Sequence, residues 1–295
     1  MRPILVAGFL AVSLLACNDG TGAGERPQVR VLLTDAPFPY DSVARVDVYF
    51  VRIMATTRPD TGTSADDTVA LGLHTIATPR RRINLLDLSN GRLDSLGADT
   101  LLPSEAYQQL RVTINVDSSR IEMKDGTRPA IDFSAGGLEE MSFGLFPLAP
   151  VAMGPQGASI LIDFNVGRSF EPVDPTGGAR SGFRFVPFVR ALNLANVGIV
   201  KGRVVGGVAG SPPVPNASVT LFGPGGGSVG STARTESDGR FAAIVAVSNG
   251  AYSLRVEGPP SGPYGVGPSV PTAIGVTAPV TIDVGMISIP LKPLR

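Results

Sequence analysis

Apolar residues recur at every second position in a series of short runs, and clusters of Gly, Pro, Asn, Asp and Ser separate the runs. A period of two is the signature of half-buried β-strands. The first run, Val29–Leu33, is expected to end in a turn at Thr34-Asp35-Ala36-Pro37, because proline has no N–H to give to a ladder. Along Val43–Ile53, Val46, Val48 and Phe50 fall on one face, with Arg45, Asp47 and Tyr49 on the other. The apolar phase then moves to Val51 and Ile53, which predicts a bulge. Leu110, Val112, Ile114 and Val116 alternate with Arg111, Thr113 and Asn115, expected to face outward. Ile160, Ile162, Phe164 and Val166 repeat the pattern, and Phe183–Leu192 reads as one further strand. Asp125-Gly126 has the composition of a hairpin turn.

The same alternation continues beyond residue 196. Val200, Gly202 and Val204 lead into a turn-rich segment, and Ala217, Val219 and Leu221 follow. Phe241, Ala243, Val245 and Val247 form another run, then Tyr252, Leu254 and Val256. The Pro/Gly-rich stretch 258–272 reads as a long loop before a last strand over Val280–Ile289, in phase through Val280, Ile282, Val284 and Met286. No segment shows a sustained 3.6-residue period, and Pro103–Leu110 is long enough for one helical turn only. The pattern therefore predicts an all-β chain of two tandem antiparallel β-sandwich domains, residues 29–196 and 197–295.

Composition supports that reading. The 36 Gly and 26 Pro are dispersed between apolar runs, and a hydrophobic content of 43% is enough for packed cores. Arg2 and the apolar stretch Ile4–Leu15 have the form of a signal peptide, too short for a membrane span of roughly 20 residues. The ending Leu14-Leu15-Ala16-Cys17 resembles the bacterial lipobox, in which the signal is cut before a cysteine that is then acylated. Residues 1–16 are thus expected to be the signal peptide, Cys17 the lipidated residue and residues 17–28 a Gly-rich tether. Cys17 is the sole cysteine, so disulfides within the chain are impossible. The expected location is the bacterial cell envelope, at the outer membrane or cell surface, with the membrane reached through the lipid. Lys plus Arg equals Asp plus Glu at 25 each, which speaks against a nucleic-acid partner.

Candidate chemistry is sparse. His74 is the one histidine, no nucleophile elbow accompanies it, and a His/Cys metal set is ruled out by count. Asp60, Asp66 and Asp67 share a polar loop but lack the alternation of a calcium-binding loop, and Gly225-Gly226-Gly227 has no following Lys-Ser/Thr to make a phosphate loop. Arg80-Arg81-Arg82 reads as a solvated loop. Asp163 is placed on the polar face of its strand, within reach of Arg111 or Arg190 if those strands are neighbours, and an ion pair is the expected role. Tyr264, in the Pro/Gly-rich stretch, is the candidate exposed aromatic for stacking on a sugar. No catalytic residue, metal or cofactor is expected.

Several dispersed pieces carry a resemblance. They are Leu33-Thr34-Asp35-Ala36-Pro37, Asn84-Leu85-Leu86-Asp87-Leu88, Tyr107-Gln108-Gln109-Leu110-Arg111, Leu161-Ile162-Asp163-Phe164-Asn165 and Phe185-Val186-Pro187. Together they resemble the domain-of-unknown-function family 4382, found in secreted and lipid-anchored bacterial proteins, over about residues 28–192. The chain departs from that family at Ser104-Glu105-Ala106, where members tend to carry a glycine, and at Asn165, where many have a second acid. Further on, Gly202-Arg203-Val204, Pro215–Leu221, Thr235–Phe241 and Gly250–Leu254 resemble the carboxypeptidase regulatory-like domain over about 198–257. That resemblance implies a small transthyretin-type sandwich, grouped with carbohydrate-binding-like folds. The resulting expectation is a non-enzymatic, lipid-anchored envelope protein acting as a binding, adhesion or assembly module, with polysaccharide or another envelope protein as partner. A carbohydrate-binding surface module and a hydrolase using carboxylates of the first domain are the rival readings.

Overall fold

The computed structural model describes residues 28–36, 42–58, 72–99, 106–154, 157–173, 182–223, 229–247, 251–267, 270–275 and 280–293. The signal-like start, Cys17, the tether before Gln28, Pro37, the Asp60/Asp66/Asp67 loop, Gly225–Gly227 and Asn249-Gly250 lie outside the described residues. The first strands in chain order are β1 (Val29–Ala36), β2 (Val43–Thr56), β3 (His74–Ala77), β4 (Arg81–Asn84), β5 (Asp94–Asp99) and β6 (Gln109–Met123). Next come β7 (Ala130–Asp132), β8 (Glu140–Leu145), β9 (Ala158–Asn165), the one-turn helix α1 (Val166–Ser169), β10 (Phe170–Val173), β11 (Gly182–Phe185) and β12 (Val189–Asn193). Beyond a 3-10 turn at Leu194–Asn196 lie β13 (Val197–Gly206), β14 (Ser218–Phe222), β15 (Val229–Arg234) and β16 (Arg240–Ala246). The last strands are β17 (Ala251–Glu257), β18 (Val270–Gly275) and β19 (Thr281–Ile289).

The chain is all-β, as the period-two pattern predicts. One sheet runs β12-β9-β1-β5, a second β3-β2-β6-β8 with β4 also on β2, and a short third β10-β11-β7. Their inner faces enclose a single core that includes Val31, Leu33, Phe50, Ile53, Leu110, Ile114, Ile160 and Phe164. Phe164, Phe170 and Phe185 pack against one another there, with Phe133 and Phe143 at the edge. Later in the chain, β16-β13-β19 and β15-β14-β17-β18 enclose a second core around Val200, Val204, Val219, Leu221, Phe241, Leu254 and Ile289. A small third cluster, Leu161, Leu192, Val197 and Ile244, lies between the two.

The structure departs from the sequence expectations at several points. The sheets are mostly antiparallel, but β1–β9, β7–β11 and β13–β19 pair in parallel. β1 does not stop at Leu33; it runs through Thr34-Asp35-Ala36, held in register by β9 up to Ala36 opposite Asn165. Phe183–Leu192 is two strands, broken at Val186–Phe188, where Pro187 interrupts the ladder. Arg111 and Thr113 on the central strand β6 are buried rather than solvent-facing, and the Thr113 hydroxyl meets that of its cross-strand neighbour Ser142 on β8 at 2.8 Å. The bulge expected after Phe50 is present as a register shift between Phe50 and Arg52. Part of the expected 258–272 loop is β18, paired with β17. The final strand changes phase at a bulge: Lys201 faces Asp283 but Arg203 faces Met286, with Gly285 at φ +73°. Ile287 and Ile289 then enter the core while Met286 turns out to solvent at 72% exposure.

Candidate functional site

Asp163 sits on β9, opposite Arg190 of the antiparallel neighbour β12. Arg190 donates to Asp163 Oδ2 from Nε at 3.1 Å and also from Nη2. Of the two arginines the sequence offers as partners, this pairing selects Arg190. The carboxylate side chain is 7% exposed and the guanidinium 28%, so a strand-to-strand ion pair occupies the position.

Three of the pieces behind the family resemblance, those around Thr34, Leu88 and Asp163, meet around the end of β1. Thr34 donates its hydroxyl to the carbonyls of Leu88, at 3.3 Å, and Arg92, at 3.0 Å. The buried Asp35 accepts the Val166 N–H at 3.1 Å, just past β9. These short polar side chains tie the 3-10 turn Leu85–Leu88 and the start of α1 onto β1, satisfying buried backbone groups that no ladder reaches. The motif residues are therefore architectural where their contacts are seen.

A second polar cluster was not singled out by the sequence. Asp47 on β2 has a fully buried side chain held by Arg45, at 2.9 Å, and Arg120, at 3.2 Å. The hydrogen bond and charge of Asp47 raise the Arg45 pKa above its ordinary value. Here β6 carries a wide bulge, since Asp47 faces Arg120 while Tyr49 already faces Asn115. Asn115 and Ser119 close the bulge on themselves: Ser118 N–H donates to Asn115 Oδ1 at 2.8 Å, and Ser119 Oγ to Asn115 O at 2.7 Å. Between the bulge and the segment after β7 lies a groove of about 480 Å³, lined by Asp117, Ser119, Arg120, Asp132, Phe133 and Leu138 among others. Its rim mixes both signs of charge with hydroxyls. Such a lining can hydrogen-bond polar ligands.

The remaining candidates are placed as follows. His74 is exposed on β3. Arg81 and Arg82 lie on β4 rather than in a loop; Arg81 pairs with Asp94 at 2.7 Å and Arg82 donates to Ser118 O at 2.8 Å. Tyr264 is half-buried, bridges to Leu291, and lies where a side chain on Gly206 would otherwise go. Among the described residues, no three His, Cys, Asp or Glu side chains gather as a metal set. No helix among them is long and apolar enough to cross a membrane.

No curated protein matches the chain. Among solved structures it is similar to a 9R-lipoxygenase from Cyanothece PCC8801, at 12% identity and TM-score 0.25 over 43% of this chain and 20% of that one. It is similar also to a streptococcal ancillary pilin, at 14% identity and TM-score 0.25 over 92% of this chain and 64% of that one. The minor pilin GBS52 of Streptococcus agalactiae gives 10% identity and TM-score 0.27 over 91% and 98%. The chain thus spans a minority of the lipoxygenase and less than two thirds of the ancillary pilin. A family model described as a domain of unknown function, DUF4382, matches residues 26–185. The chain belongs to the DUF4382 family.

Proposed function

We propose that the protein is a non-enzymatic, lipid-anchored component of the bacterial cell envelope that serves as a binding or assembly module. In this reading residues 1–16 are the signal peptide, Cys17 carries the lipid and the tether ends at residue 28. Residues 29–196 and 197–295 are two domains, the second of carboxypeptidase regulatory-like type. The observation that supports the non-enzymatic part is that Asp163, the acid a hydrolase reading would use, is ion-paired with Arg190 across two strands. The anchor rests on the lipobox-like Leu14-Leu15-Ala16-Cys17.

Metabolic labelling with an alkyne fatty acid in a bacterial host tests the anchor. The full-length chain should take up label and sediment with membranes, while Cys17→Ser should lose the label and be released. An unlabelled wild type, or label that survives Cys17→Ser, would overturn the reading.

A further inference from the structure

The outer face of the β16-β13-β19 sheet is divided. One end, Val197, Ile199, Ile244 and Ala246, is apolar and packs against Leu32, Leu161, Leu192 and Leu194. The other end is cationic and open, forming a recess of about 490 Å³ lined by Lys201, Arg203, Arg240, Asp283, Gly285 and Met286. Lys201 and Arg203 are two residues apart on β13 and so share a face, and Arg240 stands opposite Arg203 on β16.

Three cations, Lys201, Arg203 and Arg240, stand here with two carboxylates, Asp283 and Asp238. Asp283 accepts the Gly285 N–H at 2.9 Å within its own strand and stands 3.9 Å from Lys201 Nζ. Arg203 spends its Nε on the Asp238 carbonyl at 2.8 Å, leaving the end of its guanidinium for another acceptor. Arg240 holds Asp238 through Nη1 at 2.9 Å and is 73% exposed. The bulge at Gly285 shapes the recess by swinging Met286 outward. The even charge of the whole chain conceals this local excess of one positive charge.

We infer that this recess is a binding site for the carboxylates of an acidic polysaccharide. Guanidinium forks match carboxylates in geometry, and each such contact is stronger than a neutral hydrogen bond. A recess on a sheet face admits an extended polymer, whereas a flat bilayer surface rests on its rim. The exposed Met286 side chain offers an apolar contact for the C–H face of a sugar ring. The site does not depend on the lipid anchor.

The test uses the full chain carrying Cys17→Ser, with polygalacturonate as probe, neutral dextran as control and phosphatidylglycerol vesicles as the competing surface, all read by titration calorimetry or co-sedimentation. Polygalacturonate should bind, dextran should not, and added salt should weaken binding. Lys201→Gln and Arg240→Gln should each weaken it by about tenfold, as expected for losing one charged contact. Lys201 is loosely paired and exposed, so its variant keeps the fold, which an unchanged melting temperature verifies. Absence of polygalacturonate binding, equal binding by the variants, or vesicle binding with the same sensitivity to both substitutions would overturn the inference.

Discussion

Asp163 and Arg190 face each other in register across β9 and β12, and the guanidinium reaches one carboxylate oxygen through two of its nitrogens. This geometry couples the centre of the sheet to its edge strand, at a position where the polar face of β9 is itself covered. Leu161, on the same face two residues earlier, is fully buried in the cluster between the two cores.

Breaking this pair from one side leaves a charge in a nearly closed site. Asp163→Ala should therefore cost about 2–4 kcal/mol in urea unfolding, toward the lower part of the range for buried pairs because Arg190 keeps some solvent contact. Replacing both residues with leucine should recover most of the loss, since no charge is then stranded. Equal losses for the single and double variants would show that the pair does not act as a unit.

Tyr107 is fully buried, and its hydroxyl has no hydrogen-bond partner among the described residues. Burial, with a smaller contribution from the charge of Asp99, pushes its pKa from 10.0 up to about 12. The folded state thus favours the neutral phenol. Stability from this group is fully present below pH 10 and is lost as pH rises from 10 to about 12. Tyr107→Phe should flatten the alkaline limb of the stability–pH curve. At neutral pH it should be neutral or stabilising by up to about 1 kcal/mol, because the unpaired hydroxyl is removed. A clear loss at pH 7 would reveal a partner for the hydroxyl.

Gly206 ends β13 where the Tyr264 ring lies against it, and any Cβ there would overlap the ring. Gly206→Ala should destabilise by about 1–3 kcal/mol through overpacking. In the Tyr264→Ala background the same change should cost much less, and the difference in a double-mutant cycle measures the contact. Additive effects would mean that backbone strain, not the ring, governs the position.

Much of the strand pattern was legible from alternation alone. Val46, Val48 and Phe50 on β2, and Phe241, Ala243 and Val245 on β16, are buried as the period-two rule requires. The rule fails where both faces are covered. β6 and β9 bury Arg111, Thr113, Leu161 and Asp163 as well as the alternate apolar set, and Leu161 is covered by Val197 and Ile244 between the two cores. Parallel pairing of β1 with β9 joins residues well over a hundred positions apart, and nothing local encodes it. β15 escaped notice because its Gly, Ser and Thr residues lack an apolar alternation. The ion-pair role of Asp163 was readable because only two arginines were plausible partners. The Asp47 cluster and the cationic recess were not, since each forms only when bulges in β6 and β19 set the register.

The connection between the cores gives the most demanding test. β12 ends at Asn193 and β13 begins at Val197, so a single 3-10 turn joins sheets that also share Leu161, Leu192, Val197 and Ile244. Beside this apolar contact, Arg92 pairs with Glu236 at 3.0 Å, but the two side chains are 62% and 42% exposed. Exposed pairs contribute at most about 1 kcal/mol, whereas removing a buried isoleucine side chain to alanine costs about 2–5 kcal/mol. Ile244→Ala should accordingly destabilise the protein by a few kcal/mol, and Arg92→Ala by less than about 1 kcal/mol. If the apolar contact couples the cores, calorimetry of the intact chain should show one transition, and Leu161→Asp should split it into two. Two well-separated transitions in the unmodified protein would mean that the halves unfold independently and that the shared leucines and isoleucine do not transmit stability across the joint.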